Sequence, residues 1–176
     1  ARPATVHRTY AWLTRPTVGP VGGHRRARTR STPTPARTRP GSDYSADMTP
    51  RIAVTGATGH LGGRVADLLA AQGVPLRLVV RDPDRAPHLP DAEVAVASYG
   101  DAGAVEAALR GVEVALMGSA GESATRAQDQ ATFVSAAAAA GVRQLVYTSF
   151  AAASPDAVFT LGRDHGATEA AITASG

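Results

Sequence analysis

The 176-residue sequence contains no cysteine, no lysine and no asparagine. Without cysteine, disulfide frameworks, thiolate metal sites and thiol nucleophiles are excluded, and a reducing compartment fits without being demanded. Without lysine, no mechanism that needs an ε-ammonium can operate, and all 18 basic residues are arginine. Lysine and asparagine have AT-rich codons whereas alanine, arginine, glycine and proline have GC-rich ones, so the bias points to a GC-rich genome. No apolar run approaches the roughly 20 residues that span a bilayer, and no stretch has the order of a secretory signal. The expectation is a soluble, cytoplasmic chain with no membrane partner and no metal site. Its length suits one domain and is short for two.

Charge divides the chain. Residues 1–47 hold nine arginines and two acids, Asp43 and Asp47, a balance of +7, whereas residues 48–176 balance at −4. The basic segment, centred on "HRRARTRSTPTPARTRPGS", is rich in Arg, Pro and Thr and lacks apolar periodicity. It is expected to be a disordered tail, because it buries too little surface to offset the entropy of ordering. Three readings compete for it. A nucleic-acid arm is argued against by its aromatics, Tyr10, Trp12 and Tyr44, which are not interleaved with the Arg cluster. A transit peptide is argued against by prolines that break an amphipathic helix. The simplest reading takes Met48 as the true start, because "MTPRIAVTGATG" opens directly on a strand.

From Met48 onward, apolar runs alternate with helical patterns. Strands are expected at 51–55, 76–80, 93–97, 112–117 and 143–149. Helices are expected at 60–72, with Leu61, Val65, Leu68 and Leu69 as the apolar face, and at 101–109, about 123–140 and 164–175. Gly73, Gly111 and Gly141 stand at the helix stops. Alternating strands and helices imply an α/β fold, a doubly wound parallel sheet with right-handed crossovers.

The first strand-to-helix turn reads "GATGHLG", with Gly56, Gly59 and Gly62 in a G-x-x-G-x-x-G spacing. This assigns Gly56 to the tight turn, Gly59 to close approach of amides to a pyrophosphate, and Gly62 to close packing of helix on sheet. Unpaired amides and the helix dipole favour an anion there. A glycine-rich turn without a ligand is the alternative. The second expected strand ends in Arg81, followed by Asp82, Pro83, Asp84 and Arg85. A guanidinium at that place can pair with a 2′-phosphate, so NADP is favoured, while Asp82 keeps NAD as second choice. The alternative is that Arg81 and Arg85 only balance Asp82 and Asp84 at the surface.

"TGATGHLGG", "VVRDPDRA", "GVRQLVYTSFAAASP" and "DHGATEAAITASG" together resemble the NmrA-like branch of the atypical short-chain dehydrogenase/reductase superfamily, close to its NAD(P)H:quinone oxidoreductase-like members. The resemblance covers about residues 50–176. It implies a Rossmann-like fold in which Gly56, Thr58, Gly59, His60, Leu61 and Gly62 hold the pyrophosphate. It further implies that Arg81 meets the adenosine phosphate, Asp101 lies near the adenine, and Gly118, Ser119 and Ser149 flank the nicotinamide. The superfamily's Tyr-x-x-x-Lys pair is absent: Tyr147 is followed four residues on by Ala151, and a packing role is expected for it. Ser149 and His165 remain as catalytic candidates able to meet near the nicotinamide, with an exposed helix-start position as the alternative for His165 and a helix-surface role expected for Thr168 and Glu169. Family members continue past "ASG" into a sixth strand and a substrate-binding region, so the resemblance implies a C-terminally incomplete fragment. The implied activity is hydride transfer between NADPH and a small carbonyl or quinone. The alternative is a non-catalytic NADP-sensing regulator acting through a protein partner.

Overall fold

The computed structural model describes residues 49–176. The expectations for residues 1–47 lie outside the described residues.

Five short strands, β1 (Ile52–Thr55), β2 (Leu76–Val80), β3 (Ala92–Val96), β4 (Val114–Met117) and β5 (Gln144–Tyr147), form one parallel sheet in the order β3-β2-β1-β4-β5. Four helices connect or follow them: α1 (His60–Ala70), α2 (Ala102–Leu109), α3 (Arg126–Ala139) and α4 (Thr160–Ala174). Register pairs Val54 with Leu78 on one side and with Leu116 on the other. Strand order reverses between β1 and β4, where a doubly wound sheet opens a crevice at the strands' carboxyl ends.

Apolar residues line both faces of the sheet. On one face Val54, Leu76, Leu78 and Val80 pack with Ala57 and Ala66 of the α1 side. On the other, Ala53, Val79, Ala115 and Met117 pack with Val105 and Leu109 of α2, Phe133 and Val134 of α3, and Ile172 of α4. Helices α1, α2 and α3 stop at Gly73, Gly111 and Gly141, whose φ angles are 73°, 81° and 84°. At the opposite rim Glu113 bridges Arg51 and Arg143, an exposed network of small energetic weight. Arg77 ties the sheet to a helix end: it pairs with its register partner Glu93 and donates to the carbonyls of Ala108 and Arg110, where α2 terminates.

Two local expectations are corrected. Of the expected α1 face, Val65 and Leu69 pack against the core beside the buried Gly62 and Ala66, whereas Leu61 and Leu68 are 59% and 47% exposed. α4 begins at Thr160 rather than Asp164, with two glycines inside it. Among the described residues no helix is long and apolar enough to cross a membrane, and no group of three or more His, Asp or Glu is placed to hold a metal ion.

Candidate functional site

The turn from β1 to α1 is shaped by two glycines. Gly56 adopts φ 65°, which costs a residue with a Cβ about 1–2 kcal/mol. A Cβ on Gly62 would lie 2.6 Å from the Gly56 carbonyl carbon and 2.7 Å from the Thr55 oxygen. Both neighbours are backbone, so only a bare Cα lets α1 start this close to the strand. Gly59 differs: a Cβ there would meet the Gly56 oxygen at 3.4 Å, and its place at the N-cap is exposed. No side chain caps α1, so the amides of its first turn, which have no intrahelical acceptor, open outward.

These amides border a cleft of about 290 Å³ at the strand-order reversal, lined among others by Thr55, Gly59, Gly62, Gly118, Ser119 and Thr148. Thr58 and Leu61 also line it, and His60 begins α1 at its mouth. Its floor is held by hydrogen bonds with a fixed sense. The Gly118 amide donates to Thr55 Oγ1 (2.8 Å) and the Tyr99 hydroxyl donates to the Gly118 carbonyl (2.7 Å). The Thr55 hydroxyl is then left to donate to Tyr99 Oη, completing a ring that locks the Gly118 peptide. Burial pushes the Tyr99 phenol up to about 12, so it remains a donor at all physiological pH values. Beside this ring, the Ser119 amide donates to Thr148 Oγ1 (2.7 Å), joining the ends of β4 and β5.

Arg81, exposed at the end of β2, has no ion-pair partner among the described residues, and its charge works against the rise of the Tyr99 phenol. Asp82 caps the short turn Pro83–Arg85 by accepting from the Asp84 amide (3.1 Å). Asp101 is the N-cap of α2 and accepts from the Ala104 amide (3.0 Å).

Behind the cleft, α3, α4 and β5 enclose a polar network. Arg126 is 2% exposed, His165 3%, and Gln130 and Thr168 fully buried. Arg126 Nη2 lies 2.6 Å from His165 Nε2, and Tyr147 Oη lies 2.7 Å from His165 Nδ1. A guanidinium only donates, so Nε2 accepts, His165 is neutral, and its single proton sits on Nδ1, directed at the Tyr147 oxygen. The Tyr147 hydroxyl in turn donates to Gln130 Oε1 (3.3 Å), which also accepts from the Ala120 amide (3.2 Å). Gln130 Nε2 donates to Thr168 Oγ1 (2.9 Å), and that hydroxyl donates to the Asp164 carbonyl (2.9 Å). Burial first, and the Arg126 charge second, hold His165 below the usual histidine range, with Asp164 and Glu169 pulling the other way. Burial likewise raises the Tyr147 phenol. Arg126 Nε is buried without a hydrogen-bond partner.

The two catalytic candidates are therefore placed differently. Ser149 is exposed at the end of β5 and donates to Glu169 Oε1 (2.6 Å). His165 is inside, and the exposed helix-start position is overturned: the helix begins earlier, so His165 falls in its second turn facing α3. No hydrogen bond joins Ser149 to His165. Thr168 is also inside rather than on the helix surface, because it faces Gln130. Tyr147 packs in the core as expected but carries a hydroxyl that is part of the network.

Sequence reasoning missed Thr55, Tyr99, Arg126, Gln130 and Thr148. A signal existed for two of them. Arg126 and Gln130 stand at i and i+4 on the stripe that continues to Phe133 and Ala137, so helical periodicity alone turns them inward.

Residues 48–161 match the family described as the NmrA-like family. Quinone oxidoreductase 2 of Escherichia coli (strain K12) is 38% identical over 130 residues, which are 71% of this chain and 45% of that protein. A crystal structure of the Escherichia coli NADPH-dependent quinone oxidoreductase complexed with NADPH superposes with a TM-score of 0.64 at 38% identity, over 71% of this chain and 45% of that one. A Citrobacter sp. triphenylmethane reductase complexed with NADP(H) gives a TM-score of 0.63 at 34% identity, over 70% of this chain and 45% of that one. The chain thus spans less than half the length of the relatives it matches.

Proposed function

This chain belongs to the NmrA-like family, and on that premise we propose that it binds NADP(H) in the β1–α1 cleft and serves hydride transfer to a small quinone or carbonyl compound. The observation that carries this reading is the missing side chain at Gly62, because a Cβ there would collide with backbone and close the turn whose amides face the cleft. The cradle fits a pyrophosphate in kind: bare Cα atoms, uncapped amides and a helix N-terminus. The names of the relatives support the choice of dinucleotide, since two of their structures were determined with NADPH or NADP(H).

Within this reading, the turn from Gly56 to Gly62 holds the pyrophosphate and Arg81 pairs with the 2′-phosphate. Asp82, the residue that argues for NAD, spends one carboxylate oxygen capping its own turn, which favours NADP. Asp101 borders the adenine and still caps α2. Gly118 and Ser119, fixed by the Thr55–Tyr99 ring and by Thr148, flank the nicotinamide end. The bound dinucleotide supplies the hydride. Ser149 offers a hydroxyl to the acceptor oxygen, with Glu169 orienting it. His165 has both nitrogens engaged, so it acts through Tyr147 and its neighbours and is a positioning residue in this arrangement.

A second reading, a dinucleotide-sensing regulator that works through a protein partner, is favoured by one observation. The chain has no lysine to pair with a tyrosine. NADPH oxidation with a panel of quinones and carbonyls separates the two. An acceptor-dependent rate supports the enzyme, whereas NADPH binding with no such rate supports the sensor.

A further inference from the structure

The loop joining β5 to α4 presents three apolar side chains to water: Phe150 is 43% exposed, Phe159 40% and Val158 94%. A slack loop would fold such groups inward, but this one is fastened. Gly162 and Gly166 stand four residues apart on α4, so they bare one face of the helix. A Cβ on Gly166 would lie 2.6 Å from the Ser154 carbonyl carbon, and one on Gly162 would lie 2.7 Å from Ala157 Cβ and 3.0 Å from the Phe159 ring. The loop therefore rests directly on helix backbone. Hydrogen bonds reinforce the seat: the Ser154 amide donates to the Gly162 carbonyl (3.1 Å), and Arg163 Nη1 donates to the Ala157 carbonyl (2.8 Å). Ala152 is held at φ 63°, a strained state that persists only where the surroundings impose it.

The rings are also supported from beneath. Tyr147 and His165 have centroids 5.5 Å apart, His165 and Phe150 5.8 Å, and Phe150 and Phe159 5.7 Å with planes at 76°. These are distances at which aromatic pairs attract. The imidazole in the middle of the row is fixed at both nitrogens by Arg126 and Tyr147. The buried network thus holds the inner end of a row of rings that runs from β5 towards the surface. The row surfaces at Phe150, which follows Ser149 and stands two residues after Thr148, a residue that lines the cleft.

We propose that Phe150 and Phe159 form an apolar ledge at the open end of the cleft, on which a flat aromatic hydride acceptor stacks, with the Ser149 hydroxyl at its polar margin. Ligand selection then follows ring area: a fused bicyclic quinone gains from the ledge, and a small aliphatic carbonyl does not. The ledge rests on the hydride-transfer reading for its purpose, but its ligand can be measured separately.

The test uses the full chain and three probes, menadione, 2,3-butanedione and NADPH, with binding followed by saturation-transfer NMR and calorimetry. Wild type is expected to bind menadione more tightly than butanedione. Phe150→Ala and Phe159→Ala are each expected to weaken menadione by about three- to tenfold, Phe159→Tyr to stay within about twofold, and NADPH affinity to be the same in all four proteins. Should Phe159→Ala lose its fold by circular dichroism, Phe150→Ala and Phe159→Tyr carry the comparison. Equal menadione binding by wild type and a folded alanine variant overturns the ledge, as does NADPH binding by a wild type that binds no menadione. Menadione binding that depends on the two rings, in a chain with no affinity for NADPH, leaves the ledge standing and overturns the cofactor assignment instead.

Discussion

Replacing Gly62 by alanine adds one methyl group at the place where the fold has least room for it. Its Cβ would sit 2.6 Å from one backbone carbon and 2.7 Å from a backbone oxygen, about 1 Å inside an ordinary contact distance of roughly 3.5–4.0 Å. Neither neighbour is a flexible side-chain end, so α1 must move away from β1, and the amides of its first turn move with it. Overpacking of this kind costs about 1–3 kcal/mol, offset by up to about 1 kcal/mol from the better helix propensity of alanine. The expected net loss of about 1–2 kcal/mol lowers the melting temperature by roughly 3–8 °C for a domain of this size. Gly59→Ala is the matched control: at 3.4 Å from the Gly56 oxygen it leaves stability within about 0.5 kcal/mol, while its methyl stands at the mouth of the cleft and weakens NADPH. Thermal unfolding by circular dichroism, paired with NADPH calorimetry, reads both effects. The reasoning is refuted if Gly62→Ala melts with wild type and keeps its NADPH affinity within twofold.

Three further outcomes follow from the geometry. Arg81→Ala is expected to weaken NADPH by about 10- to 100-fold, the worth of a charge-assisted pair, and to change NADH by less than threefold, both read by calorimetry. His165 has a folded pKa below its unfolded value, so the unfolded chain takes up the proton first. The stability that neutral His165 contributes is complete above about pH 6.5 and is lost as pH falls through the lower folded value; urea midpoints should show this slope in wild type and a smaller one in His165→Gln. Tyr99→Phe removes one member of the Thr55–Tyr99–Gly118 ring and leaves the Gly118 carbonyl short of a donor. It is expected to cost about 1–3 kcal/mol in denaturant unfolding.

Where one short-range rule governs an element, the sequence was enough. The strands were legible as apolar runs between glycine stops, and the first turn as glycines at i, i+3 and i+6, because strand burial and close backbone approach each leave a compositional mark. What was illegible depends on which neighbour arrives from far along the chain. Leu61 and Leu68 fit an apolar stripe, yet only its other members, Val65 and Leu69, pack on the core beside Gly62 and Ala66, where small residues permit the closer approach. α4 starts four residues before its expected N-terminus, and Gly162 in that added turn is a seat for the preceding loop, which no local pattern shows. His165 read as equally able to be a surface group, and its burial became visible only once Arg126 and Tyr147 were placed around it. Glycine and histidine are ambiguous in a string of letters for the same reason: what surrounds them decides their role.

The account stands on the bare turn being a diphosphate cradle with a guanidinium that selects the phosphorylated nucleotide. Isothermal calorimetry of the folded chain with NADPH and NADH tests this most directly. Measurable binding of both, tighter for NADPH, is the expected result. A folded protein that gives no binding heat with either nucleotide would contradict it.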